Sequence, residues 1–430
     1  MKATQNSLRN SLEQVLEKHK VTESEKRNSL RSQIVNSIKK EFLNWCSEGQ
    51  VLTLGSYKLG VHSPDSDIDL LCVAPVRYSR EEFQQEFFTR LESMDDVTYC
   101  FGIFRAKVPI IKMIINQISI DIQFANCDQD IKSETLLNLD EPSLLGINAY
   151  KICEFILSIV PNIENFQGLC RVIKLWAKQR NLYSGLNGYL SGISWTILCA
   201  KICTIYPNLS IPDLTQKFFK IFSLWDWSIP VSINPSEFSY LSSPYNTLMT
   251  IMTPIYPSYN TAYTLIPSAF ALIVTELELA SKIVKDIVEG YQEWQSLLEE
   301  LDFFQQYRYF IKIAISAYGE NEYETWSGLV FSRVKYLLME LERGYPRPVV
   351  NFYNKGFERT HKNFKCSKQY FIGLRFNFQE SVKIDLRSPI QNFCRILNEI
   401  QPNKDSMQLQ VVFLNRKDLI SGPGKQILKS

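Results

Sequence analysis

Residues 67–74 read DIDLLCVA, two carboxylates separated by one residue and running into an unbroken apolar stretch. In a strand, alternation sends Asp67 and Asp69 to the same side while Ile68 and Leu70 pack behind them. Carboxylates held side by side repel, and each raises the other's pKa unless a cation lies between them. A divalent metal resolves that conflict, so this segment predicts a sheet strand that carries a metal site.

A third acid stands in a similar setting. Asp121 lies in the run SIDIQF, residues 119–124, with isoleucine on both sides. Two hard cations held by such oxygens clamp the attacking and leaving oxygens of a phosphoryl transfer, and magnesium or manganese suits the donor set. Upstream, Gly55-Ser56 falls between a predicted strand and a helix start. A glycine lets the backbone approach closely, and free N–H groups with the Ser56 hydroxyl make a phosphate site. An isolated Asp-x-Asp or Gly-Ser is common. Strand, Gly-Ser, Asp-x-Asp on a second strand and a lone Asp on a later one form a far more specific combination, that of a nucleotidyltransferase.

Periodicity sets out the rest of the chain. Leu8, Leu12, Val15 and Leu16, then Leu30, Ile34, Ile38 and Phe42, predict two amphipathic helices ahead of the first strand. Four strands are predicted in VLTLG, DIDLLCVA, VPIIKMII and SIDIQF, with a crossing helix at Arg80–Leu91. After residue 145 helical spacing dominates, interrupted by a Pro-rich span from Pro230 to Pro257. Beyond about residue 325, RVKYLLMEL, QYFIGLRFNF, VKIDL and MQLQVVFL read as strands and PIQNFCRILNEI as a helix. The fold class is α+β: a mixed sheet, a helical middle part and a final α/β unit.

Composition excludes several classes. With 45% hydrophobic and 21% charged residues in 430, the chain is globular, with disorder excluded as its main state. No stretch approaches 18 consecutive apolar residues and the start is polar, so a soluble intracellular protein without a membrane segment is expected. The ten cysteines include no Cys-x-x-Cys and read as reduced core thiols, Cys199 and Cys203 included. Three histidines make a histidine-based nucleophilic mechanism improbable, and His62 is assigned a packing role. Charge is unevenly spread. Residues 331–430 carry 18 Lys+Arg against 8 Asp+Glu, although the whole chain is only +2. A basic end on an acidic body is expected to meet a polyanion.

The motifs GSYKLGVH from Gly55 and DIDLLCVAP from Asp67 resemble those of the nuclear-type eukaryotic poly(A) polymerases, of the polymerase-beta-like nucleotidyltransferase superfamily. Further matches are VPIIK, IDI, VPNI, RVIKLWAK, GISW, FSLWDW and TPIYP, so the likeness is strong over about residues 50–310. The resemblance implies an N-terminal helix (1–20) packed on a middle domain, a catalytic nucleotidyltransferase domain (21–145), a helical middle domain (146–320) and an RRM-like RNA-binding domain (321–430). It implies that Asp67 and Asp69 bind two Mg²⁺ or Mn²⁺ ions, and that Asp121 binds the ion activating the primer 3′-hydroxyl. Leu54, Gly55, Ser56, Ser63, Lys174 and Tyr183 would line the triphosphate, with Gly192 and Ile193 close to the incoming nucleotide. Two positions depart from the family pattern: Lys107 replaces an aromatic residue, and Gly185 replaces an asparagine that Asn187 does not match in register.

The implied activity is template-independent addition of AMP from ATP to RNA 3′ ends, with pyrophosphate released. The implied setting is a nuclear monomer recruited by the pre-mRNA cleavage and polyadenylation machinery. In the basic end, Lys355, Arg359, Lys362, Lys365 and Lys368 interleave with Tyr353, Phe357, Phe364 and Tyr370. The aromatics are expected to face the domain core and the charges to face RNA. Two alternatives stand beside this reading: a non-nuclear terminal nucleotidyltransferase adding U or mixed tails, and an inactive RNA-binding scaffold.

Overall fold

The computed structural model describes residues 5–133, 138–234, 248–344, 347–376, 385–400 and 405–421. Helices α1 (Gln5–Lys18) and α2 (Glu25–Trp45) open the chain, as their apolar spacing predicts. The first sheet contains β1 (Gln50–Thr53), β2 (Ile68–Ala74), β3 (Val97–Ile103), β4 (Ile110–Ile115) and β5 (Ile118–Asn126), in the order β1-β2-β5-β4-β3. Only β2 and β5 run parallel. The short α3 (Gly55–Lys58) joins β1 to β2. The crossing from β2 to β3 is helical, α4 (Arg80–Glu82) and α5 (Phe88–Glu92) joined by a π-helical turn.

Alternation decides which face of the sheet does what. Ile68, Leu70 and Cys72 of β2, with Ile120 and Ile122 of β5, are buried against Ile34, Ile38 and Phe42 of α2 and against Phe83, Phe87 and Leu91. Leu71, Val73 and Ala125 turn the other way and pack with Ile147 of α6 (Glu141–Ile159). Asp69 and Asp121 share that second face.

The middle part is helical: α6, α7 (Ile163–Gln179), α8 (Gly192–Ile205), α9 (Ile211–Phe222), α10 (Pro267–Glu289), α11 (Trp294–Leu297) and α12 (Phe303–Gln306). Leu8, Leu12 and Leu16 of α1 are buried in the same core, and the Trp294 indole donates to the Leu8 carbonyl at 3.1 Å. The N-terminal helix thus completes the middle core. No single described helix is long and apolar enough to cross a membrane.

The second sheet has the order β7-β8-β6-β9, all antiparallel, from β6 (Tyr309–Ala317), β7 (Pro348–Glu358), β8 (Cys366–Phe376) and β9 (Met407–Asn415). Helices α13 (Glu320–Arg343) and α14 (Arg387–Ile400) cover one face, and α15 (Arg416–Ser421) follows β9. The succession βαββαβ is the RRM-like order. β6 starts ahead of the expected boundary at 321, within residues read as helical.

RVKYLLMEL is not a strand. It lies in α13, whose buried residues Tyr323, Trp326, Val330, Val334, Leu337, Leu338 and Leu341 recur at helical spacing. Its first half lay outside the nine-residue window, and a short apolar run cannot be told from a strand by period alone. The predicted strand VKIDL falls mostly on residues 382–384, outside the described residues.

A buried asparagine network ties the second sheet to the middle helices. The Asn181 amide donates to Asn351 Oδ1 at 2.8 Å and to the Phe352 carbonyl at 2.7 Å, and Tyr189 donates to the same Asn351 oxygen at 2.6 Å. Asn351 in turn donates to the Tyr307 hydroxyl at 2.8 Å, and Asn354 to the Tyr183 carbonyl at 3.1 Å. Buried amides left unpaired would each cost about 1–3 kcal/mol, so the network fixes how the two parts meet.

Candidate active site

Strand register builds the acidic cluster. Asp69 on β2 stands directly beside Asp121 on the parallel β5, and Asp67 precedes β2 by one residue. Carboxylate oxygens from all three lie within 4.8 Å of one another, and each residue is half-buried. Burial, then Asp67, then Asp121 push the Asp69 carboxyl up to about 7. Burial also raises Asp121, against the pull of Lys112. Lys112, paired across β4 with Asp121, places its ammonium 3.0 Å from Oδ1. Three converging acid groups, with Asp69 and Asp121 held above their ordinary range, are what a hard divalent cation relieves, so the residues fit Mg²⁺ or Mn²⁺.

The Gly55 turn is bound to this cluster. The Leu54 N–H donates to the Asp69 carbonyl at 2.8 Å, and Gly55 has φ +56°. A Cβ at Gly55 would overlap the Asp69 carboxylate. Glycine is needed here twice over, for a left-handed backbone and for an acid packed against it. Leu54 is buried in the core beneath the turn.

A cavity of about 570 Å³ opens between the catalytic and middle parts. Ser56, Ser63, Asp67, Lys112, Lys174 and Tyr183 line it, which brings Ser56, Ser63, Lys174 and Tyr183, half of the expected nucleotide contacts, to one place. Burial lowers the Lys174 pKa, and burial with nearby acids raises Tyr183 to about 12. Gly192 is where a Cβ would strike the Tyr183 hydroxyl, so it shapes the wall. Ile193 packs against the middle core. Lys107 instead pairs with Glu141 at 3.0 Å on the surface, and Gly185 lies against Ser191. Asn187 donates to Ser184 and to Asn354.

Further cleft residues went unassigned in the sequence reading. Arg171 and Lys178 also line the cavity, from the same face of α7 as Lys174. Their spacing of three and four residues around Lys174 is the signal that would have found them. His19, Lys20 and Lys355 reach it from the α1–α2 link and from β7, where local sequence carries no such signal. Arg31 is fully buried, pairs with Glu23 at 3.1 Å, and donates to the carbonyls of Pro64 and Ser66 at 3.1 and 2.8 Å. It braces the turn that delivers Asp67. His62 contacts Asn28 through Nε2 at 2.9 Å, in keeping with a packing role.

With this geometry in place, three family models match in chain order. They are the poly(A) polymerase nucleotidyltransferase domain at residues 46–160, the poly(A) polymerase central domain at 165–300 and the poly(A) polymerase predicted RNA binding domain at 302–369. The chain belongs to the poly(A) polymerase family. A poly(A) polymerase of Dictyostelium discoideum is 33% identical over 398 residues, covering 86% of this chain and 49% of its own. Nuclear poly(A) polymerase 1 of Arabidopsis thaliana is 31% identical over 396 residues, covering 87% and 55%. The chain spans about half the length of these curated relatives. The fold is also that of a solved structure of Cid1, described as having RNA terminal uridylyl transferase activity. There the TM-score is 0.55 at 15% identity, over 69% of this chain and 99% of the other. A cytoplasmic RNA terminal U-transferase gives 0.54 at 16%, over 69% and 100%. The family name rests on the sequence relatives, and the fold is shared with this wider group.

Proposed function

We propose that the protein is a template-independent RNA adenylyltransferase that uses ATP to extend RNA 3′ ends by AMP. The observation that carries this is the acidic cluster of Asp67, Asp69 and Asp121, which meets through Asp67 a cleft also lined by Arg171, Lys174 and Lys178 of α7. The terminal 3′-hydroxyl of the RNA gives up its proton to water as its oxygen bonds to the α-phosphorus of ATP, the bond from that phosphorus to the bridging oxygen breaks, and pyrophosphate leaves. Divalent cations held by the three aspartates would supply Lewis-acid stabilisation of the attacking and leaving oxygens. Lys174 acts on the triphosphate side. Burial desolvates its ammonium and lowers its pKa, so phosphate charge would restore its ordinary basicity and gain a strong charge-assisted contact. Ser56 and Tyr183 add hydroxyls to the lining of the same cavity.

RNA would leave toward the basic end, where the predicted RNA binding domain matches. Tyr353 and Tyr370 are buried in that domain, and Phe357 packs against the α12 side of the sheet. Those aromatics serve the core, so RNA affinity would come mainly from the cations. Nuclear location belongs to the same proposal, supported by the names of the Arabidopsis relatives, and so does recruitment by the cleavage and polyadenylation machinery, which rests on the family resemblance alone. Because the fold is shared with uridylyl transferases, the deciding assay is extension of a short oligo(A) primer with each NTP separately, in Mg²⁺ and in Mn²⁺. ATP should be the preferred substrate. Asp67→Ala should abolish extension while keeping the fold; extension by that variant, or a preference for UTP, would refute the reading.

A further inference from the structure

One cation of the cleft is already engaged by an acid of the chain itself. Lys178 Nζ lies 3.2 Å from Asp65 Oδ2 and 3.4 Å from the Ser63 hydroxyl. That hydroxyl donates to the other oxygen, Asp65 Oδ1, at 2.6 Å. Ser63, Asp65, Lys178 and Tyr183 all line the same cavity, and the Lys178 ammonium sits 5.8 Å from the Tyr183 ring centroid. The Asp65 carboxylate therefore occupies a hydroxyl and an ammonium at the mouth of the cleft, two groups of the kind an entering phosphate would need.

The loop that carries Asp65 cannot simply withdraw. Arg31 holds the carbonyls on both sides of it, at Pro64 and Ser66, and the Ser63 N–H donates to the Ser66 hydroxyl at 3.0 Å. The Asp65 side chain, by contrast, is 75% exposed. A carboxylate on a fixed backbone with a free side chain yields its partners by rotating.

We propose that Asp65 sets nucleotide affinity by competing with the phosphates of the incoming triphosphate for Lys178 and Ser63. The inference rests on the nucleotidyltransferase reading above and deepens it: Asp65 is a positioning residue that holds Lys178 in reach of the cleft and tunes KM. Because the ion pair bridges the catalytic part and α7, it also links the two walls when no nucleotide is bound.

The test is direct binding of ATP, pyrophosphate and adenosine, with Mg²⁺, to the wild-type chain and to Asp65→Asn. ATP and pyrophosphate should bind about two- to fivefold more tightly to the variant, the worth of an exposed ion pair, while adenosine should not change. In a Lys178→Gln background the same substitution should have a smaller effect, since the contested cation is gone and only the Ser63 hydroxyl remains. The KM for ATP should fall with the binding constant. Equal or weaker binding of ATP to Asp65→Asn, or a gain undiminished by Lys178→Gln, overturns the proposal. If neither protein binds ATP or pyrophosphate, the nucleotidyltransferase reading itself fails and the inference falls with it.

Discussion

Asp69 combines three unfavourable terms, burial and two acidic neighbours, and its pKa of about 7 has a consequence for stability. Between the ordinary aspartate value and about 7, the folded metal-free protein keeps a proton that the unfolded chain has released. The folded state binds more protons there, so this group's contribution to stability falls as pH rises through that window. A divalent cation reverses the preference, but below pH 7 it must first displace the proton. Apparent metal affinity should therefore drop by up to about tenfold per pH unit below 7. Thermal unfolding with and without Mg²⁺ or Mn²⁺ checks this: the metal-induced rise in Tm should be larger at pH 8 than at pH 6, and equal shifts would show that Asp69 does not govern binding. Much of the residue-level chemistry was legible in the sequence, because Asp67, Asp69 and Asp121 are acids where alternation calls for apolar partners. Asp65 was not, since an aspartate in a Ser-Pro-Asp-Ser turn looks like ordinary turn chemistry until Lys178 is seen beside it.

Among elements, most of those with clear periodic spacing were legible, α13 excepted, and those without it were not. β3 escaped because none of its seven residues is buried, so an edge strand left no alternation to read. β6 escaped for the opposite reason: seven of the eight residues after Tyr309 are buried on a central strand, Lys312 excepted, and such a run fits a buried helix as well. The most consequential element contact is that of α2 with the Ser63–Ser66 turn. Arg31 is buried with Glu23 as its ion partner and satisfies two carbonyls of that turn. Arg31→Ala leaves Glu23 and the Pro64 carbonyl with Arg27 alone and the Ser66 carbonyl without this donor, and should cost about 1–3 kcal/mol in equilibrium urea unfolding. A loss below about 1 kcal/mol would mean that the turn does not depend on α2.

At the level of the whole molecule, the charge asymmetry finds a structural place. The basic last hundred residues build most of the second sheet and its helices, and that unit reaches the cleft through Lys355 of β7, held 2.5 Å from Glu300. Lys355→Gln should weaken binding of oligo(A) and oligo(U) alike and lower the salt slope of binding by about one, as loss of a phosphate contact does. A change confined to one base would instead assign Lys355 to base reading. The asparagine network that fastens this unit joins Asn181 to Asn351 and Asn187 to Asn354, residues far apart in the chain.

Local patterning was enough to specify the acidic strand pair, the Gly55 turn, the helical middle and the charge of the final unit, because period, glycine and charge act over a few residues. It could not place Asp121 beside Asp69 rather than merely on another strand, nor bring Lys178, Lys20 and Lys355 to one cavity. Those depend on the β2–β5 register and on how three units pack together, and both are settled by burial and hydrogen bonding between segments that have no fixed spacing in sequence.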